Sequence, residues 1–357
     1  MPLASTRNSR LPVFDVLIAG QSIPVEAEAH MVGITVDDSV ELPSMFSLEL
    51  GGSDDQKRTG AWVDDERLFA VGNAVEIKLG YGGHLESVIS GEITALEPEF
   101  IVNHLPALIV RGYDRRHRLQ RARRTRTFTQ QKDSDIVSQI AREAGLTADV
   151  EDSKVTHDYV IQANQTDLDF LHDRARLIGF EVVVEDKKLT FGPVAKDKAQ
   201  VLTLTMKDHL LEFYPRLTTC QQVSEISVRG WSAKDKKEIV GRAKAGDEGS
   251  TMGGAKSGPQ LSESAFGAAS RLISAQPVMS QAEADQIAKA HFADVALSFI
   301  HGEGVCLGLT ALRAGKVIKI DGVGKRFSGQ YYVESATHRY HPQDGYRTHF
   351  MVRRNAA

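Results

Sequence analysis

Along much of the chain, apolar and polar residues alternate in short runs, the period of half-buried β-strands. The clearest case closes the sequence. Val317, Ile318 and Ile320 form an apolar run ended by Gly322 and Gly324. Ser328-Gly329 opens a second run over 330–337, and a third, over 346–353, alternates Thr348, Phe350 and Val352 against His349, Met351 and Arg353. Between them, His341-Pro342-Gln343-Asp344-Gly345 is a turn sequence: proline presets one backbone angle and glycine accepts a positive one. Three such strands predict an antiparallel meander, too small to stand alone. Its partners must lie earlier in the chain.

The first hundred residues carry the same pattern. Strand candidates fall at 13–18, 25–36, 44–50, 71–79, 85–96 and 105–113, with a loop at 51–55 and a short amphipathic piece at 62–69. Short strands at regular spacing predict a barrel or sandwich. Two stretches match further. From Gly72, apolar residues fall three, five and seven positions on, at Val75, Ile77 and Leu79; from Gly315 the same offsets give Ile318, Ile320 and then Gly322. Each passes a glycine turn and a Ser-Gly pair, Ser90-Gly91 or Ser328-Gly329, into an apolar strand with Ile93 in one case and Tyr331 and Val333 in the other. Any hairpin shares part of this; the sharper reading is two copies of one barrel, far apart in sequence.

Between them the period becomes helical. Ile136, Val137, Ile140, Ala141 and Ala144 share a face, with Asp133 or Ser134 to cap it and Gly145 to end it. A second helix is expected over 167–178 on Leu168, Leu171, Ala175 and Ile178, capped by Thr166 with Asp169 and stopped by Gly179. A hairpin at 180–185 and 188–191 completes a helix-helix-hairpin module. Strands resume at 201–204 and 223–230, and Ser280 with Glu283 opens a helix over 281–299. The intervening stretch, 232–279, is rich in Gly, Lys, Ser and Ala and reads as a long loop or mobile arm. The expected fold is therefore mainly β with an α+β insert. A first β-barrel covers 11–118, the insert 119–199, and a second, similar barrel 200–231 together with 280–355.

Composition removes options more than it adds them. With 43 Lys plus Arg against 47 Asp plus Glu, the chain has no bulk pull toward nucleic acid or anionic membrane. Cys220 and Cys306 lie far apart without metal-type spacing and read as small core residues of a protein in a reducing compartment. The N-terminus shows no apolar signal core, and no run of about 18 apolar residues occurs. Cytoplasmic synthesis without direct membrane insertion is the expectation.

Candidate chemistry is sparse. Gly322-Val323-Gly324-Lys325 follows a strand and opens no helix, so it reads as a hairpin turn rather than a phosphate loop. His338, His341 and His349 are polar strand and turn residues before they are a zinc set. Asp54-Asp55 and Asp64-Asp65 sit in polar loops. No HExxH, GxSxG or CxxC is present. We expect no catalytic residue, cofactor, metal or small-molecule substrate. One charge feature is unusual: Arg111, Arg115, Arg116, Arg118, Arg121, Arg123, Arg124 and Arg126 crowd the boundary of barrel and insert. They read as a solvated linker or a subunit contact using the arginine fork, with nucleic-acid binding as the alternative.

The order barrel, helix-helix-hairpin, barrel resembles a known family. Ser134-Asp135-Ile136, Ile140-Ala141 and Gly145-Leu146 resemble the insert of the phage late control D proteins, as does the run from Gln162 through Leu171 to Ala175 and Gly179-Phe180-Glu181-Val182. These are baseplate hubs of contractile tails, similar to the N-terminal hub part of VgrG-type spike proteins. The resemblance covers about 13–355. It implies a homotrimer whose two barrels per chain form a pseudo-six-fold ring, adapting a tail tube protein to a trimeric spike among other baseplate proteins. It implies incorporation into a phage tail or injection-system particle. Because VgrG-type chains run on into a needle, a separate spike protein is expected to dock near Arg353, Arg354 and Asn355, and Arg121, Arg123 and Arg124 are further contact candidates. A tail-associated cell-wall hydrolase is the rival, disfavoured by the lack of a placed acid pair.

Overall fold

A computed structural model of the chain describes residues 11–52, 62–63, 65–102, 104, 106–194, 199–232, 235–248, 250–275 and 277–357. The loop expected at 51–55 is described only to Gly52, and Asp54, Asp55 and Asp64 of the acidic pairs lie outside the described residues. The first unit holds β1 (Pro12–Ile18), β2 (Gln21–Ser22), α1 (Val25–Ala29), β3 (Met31–Ser39), β4 (Met45–Leu50), β5 (Ala74–Tyr81), β6 (His84–Glu99) and β7 (Ala107–Asp114). The insert holds α2 (His117–Gln120), β8 (Arg123–Lys132), α3 (Asp133–Glu143), β9 (Thr147–Val150), β10 (Thr156–Thr166), α4 (Asp167–Ile178), β11 (Phe180–Glu185) and β12 (Lys188–Pro193). The rest comprises β13 (Gln200–Thr205), β14 (Leu210–Leu217), β15 (Glu225–Ser232), β16 (Lys237–Lys244), α5 (Gly258–Phe266), β17 (Ser270–Ile273), α6 (Gln281–Leu297), β18 (Ile300–Leu307), β19 (Val317–Asp321), β20 (Gly329–His341) and β21 (Gly345–Arg354). The chain is mainly β with an α+β insert.

The two β units share one strand order. Hydrogen bonds join β1-β5-β6-β7-β4-β3 in the first and β13-β19-β20-β21-β18-β14 in the second. Ranked in chain order among the six strands named in each unit, leaving out the two-residue β2, each order reads first, fourth, fifth, sixth, third, second. The match reaches single residues. Gly72 N–H donates to the Ile93 carbonyl and Ile93 N–H to the Asn73 carbonyl, at 2.8 and 3.0 Å; Gly315 and Val333 repeat this with Lys316, at 2.8 and 2.9 Å. Both glycines take positive φ, 93° and 76°, where an L side chain is strained. One residue later both long strands bulge, between Ile93 and Ala95 against β7 and between Val333 and Ser335 against β21. A bulge inserts one residue and turns the strand away from its partner.

Two details depart from the expected repeat. Gly91 faces Val75 and Gly329 faces Ile320, so the Ser-Gly pairs are offset by two positions and are not equivalent. Gly329 serves another end: a Cβ there would lie 2.4 Å from the Arg354 guanidinium. The first strands also differ, β1 running antiparallel to β5 and β13 parallel to β19.

Each unit folds round its own core. Phe46, Leu48, Ile77, Leu79 and Val110 lie at the centre of the first, and Ile318, Ile320, Tyr331, Val333 and Phe350 at that of the second. The alternation predicted for the last strand holds, with Thr348, Phe350 and Val352 buried and His349 and Met351 exposed. The units meet edge to edge. After its bulge β20 leaves β19 and pairs with β3, from Ser335 opposite Ser39 to Tyr340 opposite Ile34. The Phe14 and Tyr340 rings, 4.9 Å apart, and the stacked Tyr81 and Tyr346 rings, 5.8 Å apart, pack across this seam.

The insert keeps both predicted helices. Thr166 Oγ1 accepts from Asp169 N–H at 3.1 Å, and Gly179 ends α4 in the left-handed region. The cap of α3 falls one residue earlier than expected, at Lys132, whose N–H is taken by the Asp135 carboxylate. Three strands were not anticipated: β9, which pairs with β12, and β8 and β10, which pair as a mostly polar ribbon. The apolar residues of the ribbon, Phe128 on β8 and the consecutive Tyr159, Val160 and Ile161 on β10, give no period-two hydrophobic signal.

The expected arm at 232–279 is structured instead. It supplies β16, α5 and β17; β16 and β17 flank β15, and this sheet packs on α6 around Ile226, Val228, Ala284, Ala288 and Phe292. Its glycines serve close approach rather than flexibility. A Cβ on Gly241 would lie 2.2 Å from the Ala284 carbonyl carbon in α6, and one on Gly258 2.5 Å from the Phe299 ring. Cys220 is exposed and Cys306 buried, so only the second is the core residue expected of both. Substituting Gly241→Ala must push α6 off β16, and we expect a loss of about 1–3 kcal/mol, read as a lowered midpoint in urea unfolding.

Candidate functional site

Among the described residues, the ordered polar chemistry is that of joints between parts of the fold. Among the described residues no group of His, Cys, Asp and Glu is placed to hold a metal ion. His338 is buried against the Tyr346 and Thr348 hydroxyls, and burial together with the Arg313 charge lowers its pKa to about 3. His341 is half-exposed beside Asp344, and His349 lies opposite Thr337 rather than against His338. Gly322 and Gly324 both take positive φ in the turn after β19, as a hairpin requires.

The first joint lies where β3, the β7–α2 corner and the loop before β19 converge. Arg116 is 1% exposed. Its Nε donates to Asp114 Oδ2 at 2.8 Å, Nη2 to Ser44 Oγ at 2.7 Å and Nη1 to the Ser39 carbonyl at 2.9 Å. Ser44 Oγ in turn donates to Asp38, whose other oxygen takes Arg313 Nε at 2.7 Å and Ala314 N–H at 3.1 Å. Burial alone would raise the Asp38 pKa, but Arg313, Ser44 and Arg116 hold it below the ordinary carboxylate range. One buried network thus ties the second unit to the first, beside the corner where the insert begins. A polar cavity of 420 Å³ adjoins it, lined by Glu76, Ser87, Asp114, Glu185, Asp186 and Arg313 among others.

The arginine run resolves into separate tasks. Arg118 forks onto buried Glu92, and Arg111 Nε donates to both Glu97 oxygens. Arg123 donates to the Asn164 carbonyl across the β8–β10 ribbon; Arg124 and Arg126 pair with Glu143 and Asp167. Arg121, at the end of α2, is exposed. Most of the run is therefore a set of intramolecular clamps, not a solvated linker. At the other end of the chain, Arg353 reaches Asp294 and Glu334. Arg354 is 2% exposed, with its guanidinium 5.5 Å from the Tyr331 ring and donating to the Ser328 carbonyl. Asn355 Nδ2 donates to the Ser250 carbonyl at 2.5 Å. The side chains of Arg354 and Asn355 are thus committed inside the chain, because Gly329 and the α5 region close over them.

A second joint, invisible in the sequence, fastens the insert to α6. His157 Nε2 lies 3.1 Å from Asp133 Oδ2 and its Nδ1 3.4 Å from Glu283 Oε1, while Arg174 Nε meets Asp133 Oδ1 at 2.5 Å. Burial would lower the His157 pKa, but the two carboxylates raise it to about 9, so the imidazolium persists at neutral pH. His157 and Asp133 stand 24 residues apart and Glu283 lies 126 residues beyond His157, which no local pattern links.

The overall fold is one shared with phage tail proteins. The chain matches the prophage MuSo2 43 kDa tail protein from Shewanella oneidensis at a TM-score of 0.68 and 15% identity, over 96% of this chain and 98% of that one. It matches a tail protein from Neisseria meningitidis MC58 at 0.67 and 14%, over 96% of each chain. A component of the type VI secretion system of E. coli follows at 0.62 and 13%, over 96% of this chain and 77% of that one. No curated protein sequence matches the chain. The chain belongs to the Alg8 N-terminal domain family, whose model matches residues 8–341.

Two outcomes are expected of the joints. Arg116→Met strands the Asp114 carboxylate in the interior and costs about 3–5 kcal/mol in chemical denaturation, whereas Arg121→Ala stays within about 0.5 kcal/mol. For His157 the folded pKa lies above the unfolded one. Its stabilisation is complete below pH 6.5 and is lost as pH rises through about 9. Thermal melts from pH 6.5 to 9 should fall for the parent protein and flatten for His157→Gln; parallel slopes would refute the coupling.

Proposed function

We propose that the chain is the baseplate hub of a contractile tail or contractile injection system. It acts as a homotrimer that adapts a six-fold tail tube to a trimeric spike, as in the late control D proteins and the hub part of VgrG-type proteins. The observation that carries the reading is the duplication. Two units of identical strand order stand side by side, joined through the β20–β3 ladder. Three such chains offer six near-equivalent units at one end and three-fold contacts at the other, which is what a joint between unlike symmetries needs. The tail-protein fold and the type VI secretion component that shares it support this setting.

The mechanism is geometric. Buried networks at Arg116 and His157 fix the insert, the two units and α6 as one body, so that the ring can transmit force without internal rearrangement. Partners on this reading are the tube protein, a separate spike protein and other baseplate components. Exposed Arg121, Arg123 and Arg124, with part-exposed Arg353, are the polar side chains we assign to partner contact. Arg354 and Asn355 support that surface from inside. Light scattering on the purified chain at micromolar concentration should give a trimer, and micrographs a ring. A stable monomer that captures neither tube nor spike protein would refute the proposal.

A further inference from the structure

We infer that the joint between copies is a second use of the joint inside the chain: residues 95–100 at the end of β6 meet β14 of the next copy, with Glu97 facing Arg216. This rests on the ring reading above and names the contact that closes the ring.

Within the chain, β20 changes partner at its bulge, pairing with β19 up to Tyr332 and with β3 from Ser335. Its counterpart β6 pairs with β5 up to Glu92 and bulges at the same place. Beyond that point no described strand lies on the β5 side, and Leu96, Glu97, Pro98 and Glu99 are exposed. Likewise β14, the counterpart of β3, pairs with β18 alone and ends its sheet. The chain thus uses one such joint internally and leaves one half of each kind open. Complementary open halves at opposite ends of a protomer join head to tail, and such contacts close into rings.

The internal ladder also transfers its register. Ile93, Gly112, Phe46 and Val36 run across four strands of the first unit, and Val333, Val352, Gly302 and Pro215 across the second. Since His338 faces Val36, Pro98 must face Pro215, which sets Leu96 against Leu217, Glu97 against Arg216 and Glu99 against Tyr214. Apolar meets apolar and acid meets base. Within its own chain Arg216 has no carboxylate partner among the described residues, while Glu97 is held by Arg111. The facing prolines leave that point without N–H donors, and either proline keeps its bare edge from recruiting strands indiscriminately.

The tip of the hairpin carries the strongest sign. Tyr340, at the end of β20, lies on Phe14 in the neighbouring unit. Its counterpart Phe100 is 69% exposed, with Ile101 and Val102 at 57% and 86% beside it. An apolar tip that is seated in one copy of a repeat and bare in the other marks a missing neighbour. On β14, Leu211 and Tyr214 are exposed in turn.

The test uses the full chain carrying Glu97→Cys and Arg216→Cys with Cys220→Ser, since Cys220 is exposed and Cys306 buried. Mild oxidation should give disulfide-linked trimers on a non-reducing gel, and neither single-cysteine chain should give them. A chain trimeric by light scattering whose double-cysteine form stays unlinked overturns the seam and leaves the hub reading standing; a chain that is monomeric overturns both. Phe100→Ser should weaken the trimer about tenfold or more, and an unchanged dissociation constant would count against the seam.

Discussion

One strand serves both β units and makes them a single sheet, and the rest of the molecule follows from that. β20 can pair with β19 and then with β3 because the bulge at Glu334 turns its backbone away from its first partner. A bare change of edge would leave the two units free to slide, since a ladder fixes register but not the angle between cores. The buried carboxylate of Asp38 removes that freedom. It sits on β3 within the ladder and accepts from Arg313 Nε in the second unit and from the Ser44 hydroxyl in the first. A buried charge tolerates little displacement from its partners, so the seam has one geometry. Arg116, sharing Ser44, extends the constraint to the corner where the insert begins.

The sequence announced this architecture where backbone demands were local. Gly72 and Gly315 were legible because both must take positive φ and both anchor the same pair of hydrogen bonds; their apolar followers at Val75 and Ile318 then fell into register. The helices of the insert were legible from periodicity and from Thr166, Gly145 and Gly179 at their ends. Where the same residue type serves unlike ends, the pattern misled. Gly329 makes room for Arg354, so its match to Gly91 was coincidental. Gly241 and Gly258 let a helix and a ring approach closely, so a stretch that reads as flexible is packed. Composition reports how much backbone is bare, not what fills the space beside it.

The joints were hidden for a different reason. Arginines 111 to 126 stood out as a charge run, yet their carboxylates, Glu92, Glu97, Asp114, Glu143, Asp167 and Asp186, are scattered through the sequence from 92 to 186. Pairing of that kind is a property of tertiary structure. His157 is the sharper case, since nothing in its neighbourhood singles it out, but Asp133 and Glu283 converge on it from two different helices. The two buried histidines also show how environment decides the proton: His338, between hydroxyls and near Arg313, stays neutral, and His157, between carboxylates, stays charged.

A duplicated unit joined to itself edge to edge carries a consequence beyond its own chain. On the seam we infer, the open halves of the internal joint supply the interface between copies, because a solitary protomer displays both halves of a contact that the chain makes within itself. Natural sheets blunt bare edges with prolines and charges; here Pro98 and Pro215 do so, together with Glu97 and Glu99 on one edge and Arg216 on the other. On the seam we infer, the protection is selective: in the register carried over from the internal ladder Glu97 faces Arg216, while a copy presenting the same edge to itself sets glutamates against glutamates. The edge chemistry that resists indiscriminate pairing therefore also favours the head-to-tail direction that a ring requires.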